Sequence, residues 1–256
     1  MKPLLPALAL LMVATGSAAA LDPFAAAGID RKPDARVPLD LTFTDESGKA
    51  TTLRRLSGGK AILLVPVQHH CPNICGVTLA GLVQAISAQR LRPDADFTTV
   101  AFGIDPKEGP RDAAEDLARL PNQPIHGLTG TAQNIAAVTA ALGYRYAWDP
   151  QLEQYDHVAA TAVLAADGRL TRWLYGVAPA AEDLKLALVE AGQGKTGDWT
   201  DQLILLCYHY DPVTGRYSNV IWTALRVIAG GAVLALAAFI GRAIYRERRP
   251  AQGGQP

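Results

Sequence analysis

Hydrophobic positions along this chain change their spacing several times, and each change marks an element. Ala61-Ile62-Leu63-Leu64-Val65 is an unbroken apolar run, the pattern of a strand buried on both faces. Over residues 76–90, Val77, Leu79, Leu82, Val83 and Ile86 recur at three- and four-residue steps, which predicts a helix. Leu39, Leu41 and Phe43 alternate with polar residues, Asp45-Glu46-Ser47-Gly48 makes a turn, and residues 49–53 return as the second arm of a hairpin. Residues 96–104 read as a second buried strand, and residues 110–120 as a helix with Pro110 near its start. Residues 125–129 read as a short strand. Thr131 is placed to cap a helix over 132–142 that stops at Gly143. Residues 144–148 look like one arm of a further hairpin. Residues 158–165 and 169–175 flank the turn Ala166-Asp167-Gly168, and residues 179–191 form a closing amphipathic helix. Strands and helices alternate early and a hairpin comes late. The expected fold is α/β, a central mixed sheet flanked by helices.

The two ends of the chain follow other rules. Residues 1–20 carry Lys2, an apolar stretch from Leu4 to Val13 and the small run Ala18-Ala19-Ala20, the make-up of a signal peptide cleaved before Leu21. An uncleaved anchor fits less well, because the apolar run is shorter than the roughly 20 residues a span needs. Residues 21–35 form an extended lead-in and 36–192 the folded domain. Residues 193–218 form a juxtamembrane linker that begins Gly-rich. Residues 219–241 are expected to be a transmembrane helix. The stretch 220–240 is apolar apart from Arg226, and at 1.5 Å per residue it reaches about 31 Å. Arg226 lies in its first third and can snorkel outward beside Trp222. Arg242, Arg246, Arg248 and Arg249 follow, so the tail 242–256 is expected in the cytoplasm and the domain on the periplasmic side of an inner membrane crossed once.

Charge removes one class of function. With 24 basic and 24 acidic residues the formal net charge is zero, and the globular part has no Lys/Arg stripe, so nucleic acid is not an expected partner. The 3 cysteines are too few for a disulfide scaffold. Two of them form the pair Cys71 and Cys75, and Cys207 is the odd one. Export places the pair in an oxidising compartment, where it needs a dedicated reductant to stay reduced.

The candidate chemistry lies in Gln68-His69-His70-Cys71-Pro72-Asn73-Ile74-Cys75, between the first buried strand and its helix. If the helix already includes Cys71, a spacing of four puts both thiols on one face. A helix N-terminus lowers a thiol pKa and makes thiolate available near neutral pH. Such a pair can close a disulfide or hold a soft metal ion. Cu(I) prefers thiolate and accepts imidazole as a third ligand. Among the other histidines, His157 in Tyr155-Asp156-His157-Val158 stands at the mouth of a predicted strand, where distant ligands converge. Spacing alone does not separate a ligand there from an ordinary, partly exposed histidine. His69 and His70 point to opposite sides of an extended segment, so supporting or surface roles are expected for both. His126 lies in a Pro-rich loop with no assigned chemistry.

Here the chain resembles a known family. Cys71-Pro72-Asn73-Ile74-Cys75 after an apolar strand is similar to the Cys-Pro-x-x-Cys motif of the Sco/SenC proteins. The likeness continues through Phe102-Gly103-Ile104-Asp105-Pro106-Lys107-Glu108, Gly127-Leu128-Thr129-Gly130-Thr131, and Asp156-His157 followed by Asp167-Gly168-Arg169, over roughly residues 36–192. The resemblance implies a thioredoxin-like fold and copper held by Cys71, Cys75 and His157. Asp156 suits a supporting residue or a solvated carboxylate equally, and Asp105 has a family counterpart but no role in the sequence beyond a turn. It also implies a role in copper delivery to, or reduction of, the CuA centre of cytochrome c oxidase subunit II, served by an upstream thiol reductant or copper donor. The chain departs from the family pattern at Asn73, often acidic, at Gly76, often proline, and in being anchored at its C-terminal end. Cys207 and His209 lie outside the common domain. They suit an auxiliary copper site or an oxidase contact, while a buried thiol or an interchain pair accounts for Cys207 equally simply. Three functions therefore compete. A membrane-tethered copper metallochaperone leads, because an imidazole opposite the thiols serves metal binding. A copper-independent thiol–disulfide oxidoreductase would need only Cys71 and Cys75 as its redox-active pair. An assembly factor with vestigial thiols would need none of the three ligands.

Overall fold

The two apolar runs that predict buried strands stand side by side at the centre of a seven-stranded sheet. The computed structural model describes residues 27–32, 34–70, 75–120, 124–192, 209–211, 216–218 and 220–248. The described chain opens with β1 (Gly28–Ile29), β2 (Phe43–Asp45) and β3 (Ala50–Thr51). The alternation pattern carries the β3 arm on to Leu53, but Leu53 instead opens a short helix, α1 (Leu53–Ser57). Thr52 decides this: its hydroxyl accepts the Arg55 N–H and caps the turn. Next come β4 (Ala61–Val67), α2 (Cys75–Ser87), β5 (Phe97–Gly103), α3 (Pro110–Leu117), β6 (Ile125–Thr129) and α4 (Ala132–Leu142). As expected, Thr131 caps α4 by accepting the Asn134 N–H. Gly143 ends it at φ 69°, a left-handed conformation that costs glycine little.

The aromatic run after Gly143 is divided between two pairings. β7 (Tyr144–Arg145) pairs with β1, whereas β8 (Ala147–Asp149) pairs with β9 (Gln154–Asp156) as a separate hairpin. β10 (Ala160–Leu164) and β11 (Leu170–Tyr175) form the late hairpin, and α5 (Ala181–Ala191) closes the domain. The sheet order is β11-β10-β4-β5-β6-β2-β3, with β4, β5 and β6 parallel and the outer pairings antiparallel.

Alternate side chains of β4 feed two cores, one on each face. Ile62 and Leu64 join Phe43, Val100, Phe102, Ile135, Val138 and Leu142; Leu63, Val65 and Val67 join Leu79, Leu82, Val83, Leu184 and Leu188. Helix α4 therefore covers one face, and α2 and α5 cover the other. Phe43 meets Phe102 edge-on at 5.3 Å. Each large side chain buried in these layers is worth about 1.5–3 kcal/mol, so the ends of β4 and β5 are firmly placed.

The stretch expected to be plain linker contains a small hairpin, β12 (His209–Asp211) with β13 (Arg216–Ser218). The final helix, α6 (Val220–Arg248), continues past the expected end at residue 241 into the basic segment. It presents Val227, Ile228, Val233, Leu234, Leu236, Phe239 and Ile240 to the outside all round its circumference. Among the described residues no helix is long and apolar enough to cross a membrane. The expected signal peptide, 1–20, lies outside the described residues.

Candidate metal centre

Gln68, His69 and His70 carry the chain from the end of β4 toward α2, and each is tied to a different part of the fold. Gln68 is buried and its Oε1 accepts the Tyr155 N–H at 3.0 Å. His69 is buried too, with Nδ1 3.1 Å from Asp116 Oδ2 on α3 and Nε2 3.4 Å from the Leu128 carbonyl of β6. Both ring nitrogens are thus engaged inside the protein. That corrects the surface role allowed for His69 and removes it from the candidate ligands. His70 is exposed, but its N–H donates to Glu108 Oε1 at 2.6 Å. Burial raises the Glu108 pKa, partly offset by the N–H groups of His70 and His69, and Oε2 of the same carboxyl is buried with no hydrogen-bond partner among the described residues. Asp105 is buried beside this loop, its Oδ1 accepting the Lys107 N–H at 2.9 Å, so it does form the expected turn.

Cys71 and residues 72–74 lie outside the described residues, and Cys75 is the first residue of α2. The placement of both thiols on one helical face therefore stays an expectation. What the structure does define is the frame on either side of them.

His157 follows β9 and leads into β10. Ala162 of β10 sits opposite Leu64 of β4 in an antiparallel ladder. Two residues further along, that register puts the start of β10 beside the end of β4, where the cysteine loop departs. The Gln68–Tyr155 bond draws β9 to the same place. His157 and the loop before Cys71 are thereby brought to one end of the sheet, although 86 residues separate His157 from Cys71.

The ring of His157 is half-buried, and burial lowers its pKa, opposed by the Val158 backbone and the charge of Asp156. A neutral imidazole is the form that binds metal. Its Nδ1 lies 3.0 Å from the hydroxyl of Tyr144, which also donates to the Val158 carbonyl at 2.7 Å. Asp156, expected as the supporting residue, acts on the ring through its charge, and Tyr144 makes the hydrogen bond to Nδ1. Tyr146, Tyr155 and Trp148 continue this wall in edge-to-face contacts of 5.4 and 5.2 Å, and Lys107 caps Trp148 at 5.3 Å.

The remaining candidates lie elsewhere. His126, expected in a loop, lies on β6 opposite Val100, half-buried and 3.3 Å from Asp94, away from this end of the sheet. His209 begins β12 opposite Ser218, and Cys207 lies outside the described residues. Among the described residues no group of three or more His, Cys, Asp or Glu side chains is gathered to hold a metal. The two thiols of the candidate site fall outside that description. Sequence reasoning assigned no role to Gln68 or Glu108, although both stand in quoted segments, and passed over Asp116 and Tyr144, because each acts through a partner that only the fold brings near.

The SCO1/SenC family profile matches residues 30–187. Over 154 residues the chain is 32% identical to the mitochondrial SCO2 homolog of Bos taurus, covering 57% of this chain and 56% of that protein. The chain thus spans about half the length of the curated relatives it matches. Among solved structures it resembles a candidate electron transfer protein of Aquifex aeolicus VF5, with TM-score 0.58 and 23% identity over 63% of this chain and 95% of that one. It also resembles Arabidopsis thaliana ScoI with copper bound, with TM-score 0.50 and 20% identity over 62% and 99%. At these identities the structural likeness speaks for the fold, an α/β thioredoxin-like mixed sheet with flanking helices.

Proposed function

The chain belongs to the SCO1/SenC family, and from that premise we propose that it is a copper metallochaperone for the CuA centre of cytochrome c oxidase, binding copper through Cys71, Cys75 and His157. The observation that carries this reading is the Gln68–Tyr155 bond together with the β4–β10 register, which bring His157 to the departure point of the cysteine loop. A thiol–disulfide exchanger using only Cys71 and Cys75 does not need an imidazole at that place. A copper site does: two thiolates supply soft donors for Cu(I), and the imidazole completes a three-coordinate set. The ligands fit the cargo, and the family relative from Arabidopsis thaliana is a copper-bound protein. Copper would leave by stepwise ligand exchange onto thiolates and imidazoles of the acceptor, for which we take oxidase subunit II. An upstream thiol reductant would keep Cys71 and Cys75 reduced.

The same reading places α6 in the inner membrane as a single-pass anchor, with the domain periplasmic and the C-terminus cytoplasmic. Its support is the ring of large apolar side chains that α6 exposes and the arginines that follow them. Cys207 and His209, just before α6 in sequence, are then an auxiliary copper or oxidase contact near the membrane surface.

Anaerobic titration of the reduced protein with Cu(I) against a competing chelator tests the site. One tight equivalent is expected, lost in Cys71→Ser and in Cys75→Ser and weakened in His157→Ala, with dithiol exchange largely intact in the last. No tight copper in a fully reduced wild type would overturn the chaperone reading and favour a thiol reductase using only the two cysteines.

A further inference from the structure

A histidine offers a metal only one nitrogen, and what the other nitrogen touches decides which one. At His157 one such contact is the Tyr144 hydroxyl, 3.0 Å from Nδ1, beside the Val158 backbone that also hydrogen-bonds the ring. The hydroxyl has a single proton. Its contact with the Val158 carbonyl, at 2.7 Å, is a normal O–H···O length, and a carbonyl oxygen can only accept. The proton is therefore committed to Val158, and the hydroxyl faces Nδ1 with a lone pair. Nδ1 must then carry a hydrogen and donate it, which leaves the ring's lone pair on Nε2.

Tyr144 is well fixed for this task. It is 3% exposed, its ring stacks on Trp173 at 5.7 Å and 20°, and its backbone pairs with Ile29 directly after the Gly143 helix stop. We propose that Tyr144 is a positioning residue that holds His157 as the Nδ1–H tautomer and aims Nε2 at the metal. This deepens the copper reading and rests on it for the identity of the ion that Nε2 meets. The tautomer itself does not depend on copper.

The test uses the full-length protein in detergent, reduced and metal-free, with 15N-labelled histidine. Long-range 1H–15N correlation reads the protonated nitrogen of each ring, and His157→Ala identifies the His157 signal. Wild type should show His157 protonated on Nδ1. Tyr144→Phe keeps the stacked ring and removes only the hydroxyl. It should shift His157 toward a mixture with the Nε2–H form and weaken Cu(I) binding by about 10- to 100-fold, as lost supporting contacts do, without changing thiol reactivity. A wild-type His157 ring protonated on Nε2 overturns the proposal, whether or not Tyr144→Phe folds. So does a folded Tyr144→Phe protein with unchanged tautomer and affinity. If wild type binds no tight copper, or His157→Ala binds it undiminished, the copper reading fails while the tautomer measurement still decides the role of Tyr144.

Discussion

At the scale of single residues, the segment 68–70 that leads to the cysteines is tied into the fold by Tyr155, Asp116 and Glu108. Glu108 shows how. Its Oε1 accepts the His70 N–H while burial opposes its charge and raises its pKa. The folded protein therefore holds this proton more tightly than the unfolded chain, and stability falls as pH rises through the window above the ordinary glutamate value. Above that window the ionised carboxylate is a standing cost. Glu108→Gln keeps an acceptor for His70 and carries no charge, so the metal-free variant should melt higher than wild type at pH 7. The advantage should vanish near pH 4, where wild type is protonated as well. Thermal melts of both proteins across that range would contradict this if the two curves run parallel. None of this was legible in sequence, because Glu108 lies 38 residues from the N–H it accepts.

Helices and strands formed where their own residues asked for them. The apolar runs became β4 and β5, and Thr131 and Gly143 bounded α4 as their chemistry requires. The misses were short elements. Residues 49–53 alternate for too few positions to outweigh the cap that Thr52 provides, and the 144–148 run looks like one strand yet serves two partners. Helix α2, which begins at Cys75, has a constraint of its own. A Cβ at Gly81 would collide with the Val177 carbonyl and lie 2.8 Å from the Ala178 Cβ. In an open helix, Gly→Ala gains up to about 1 kcal/mol. Here the obstacle is backbone, so overpacking of about 1–3 kcal/mol should win. Urea unfolding of Gly81→Ala should give a lower midpoint than wild type; a higher one would mean that α2 can slide away from the 176–178 turn without cost.

For the molecule as a whole, α6 bears on where the protein resides. Seven large apolar side chains point outward from α6, at exposures between 48% and 72%, and water is a poor neighbour for all of them. Lipid on every side would remove that cost, and the four arginines at 242, 246, 248 and 249 would hold the end in the cytoplasm. A reporter fused after Pro256 should be active only if it is cytoplasmic. Activity of a periplasmic reporter at that point would reverse the proposed topology.

Sequence alone determined what depends on neighbours along the chain: the buried strands, the capped helix, the thiol pair between strand and helix, and the apolar run that ends in arginines. By motif resemblance it also pointed to Cys71, Cys75 and His157. Only the tertiary structure decided what surrounds His157 and the segment that leads to the cysteines. The β4–β10 register and the Gln68 amide bring the His157 loop to the point where the chain leaves β4, Asp116 takes His69 into the interior, and the Tyr144 hydroxyl lies against Nδ1. The reason is physical. Periodicity and capping are local and repeat over a few residues, whereas a hydrogen bond across the fold exists only once the sheet has fixed the distance between its two partners.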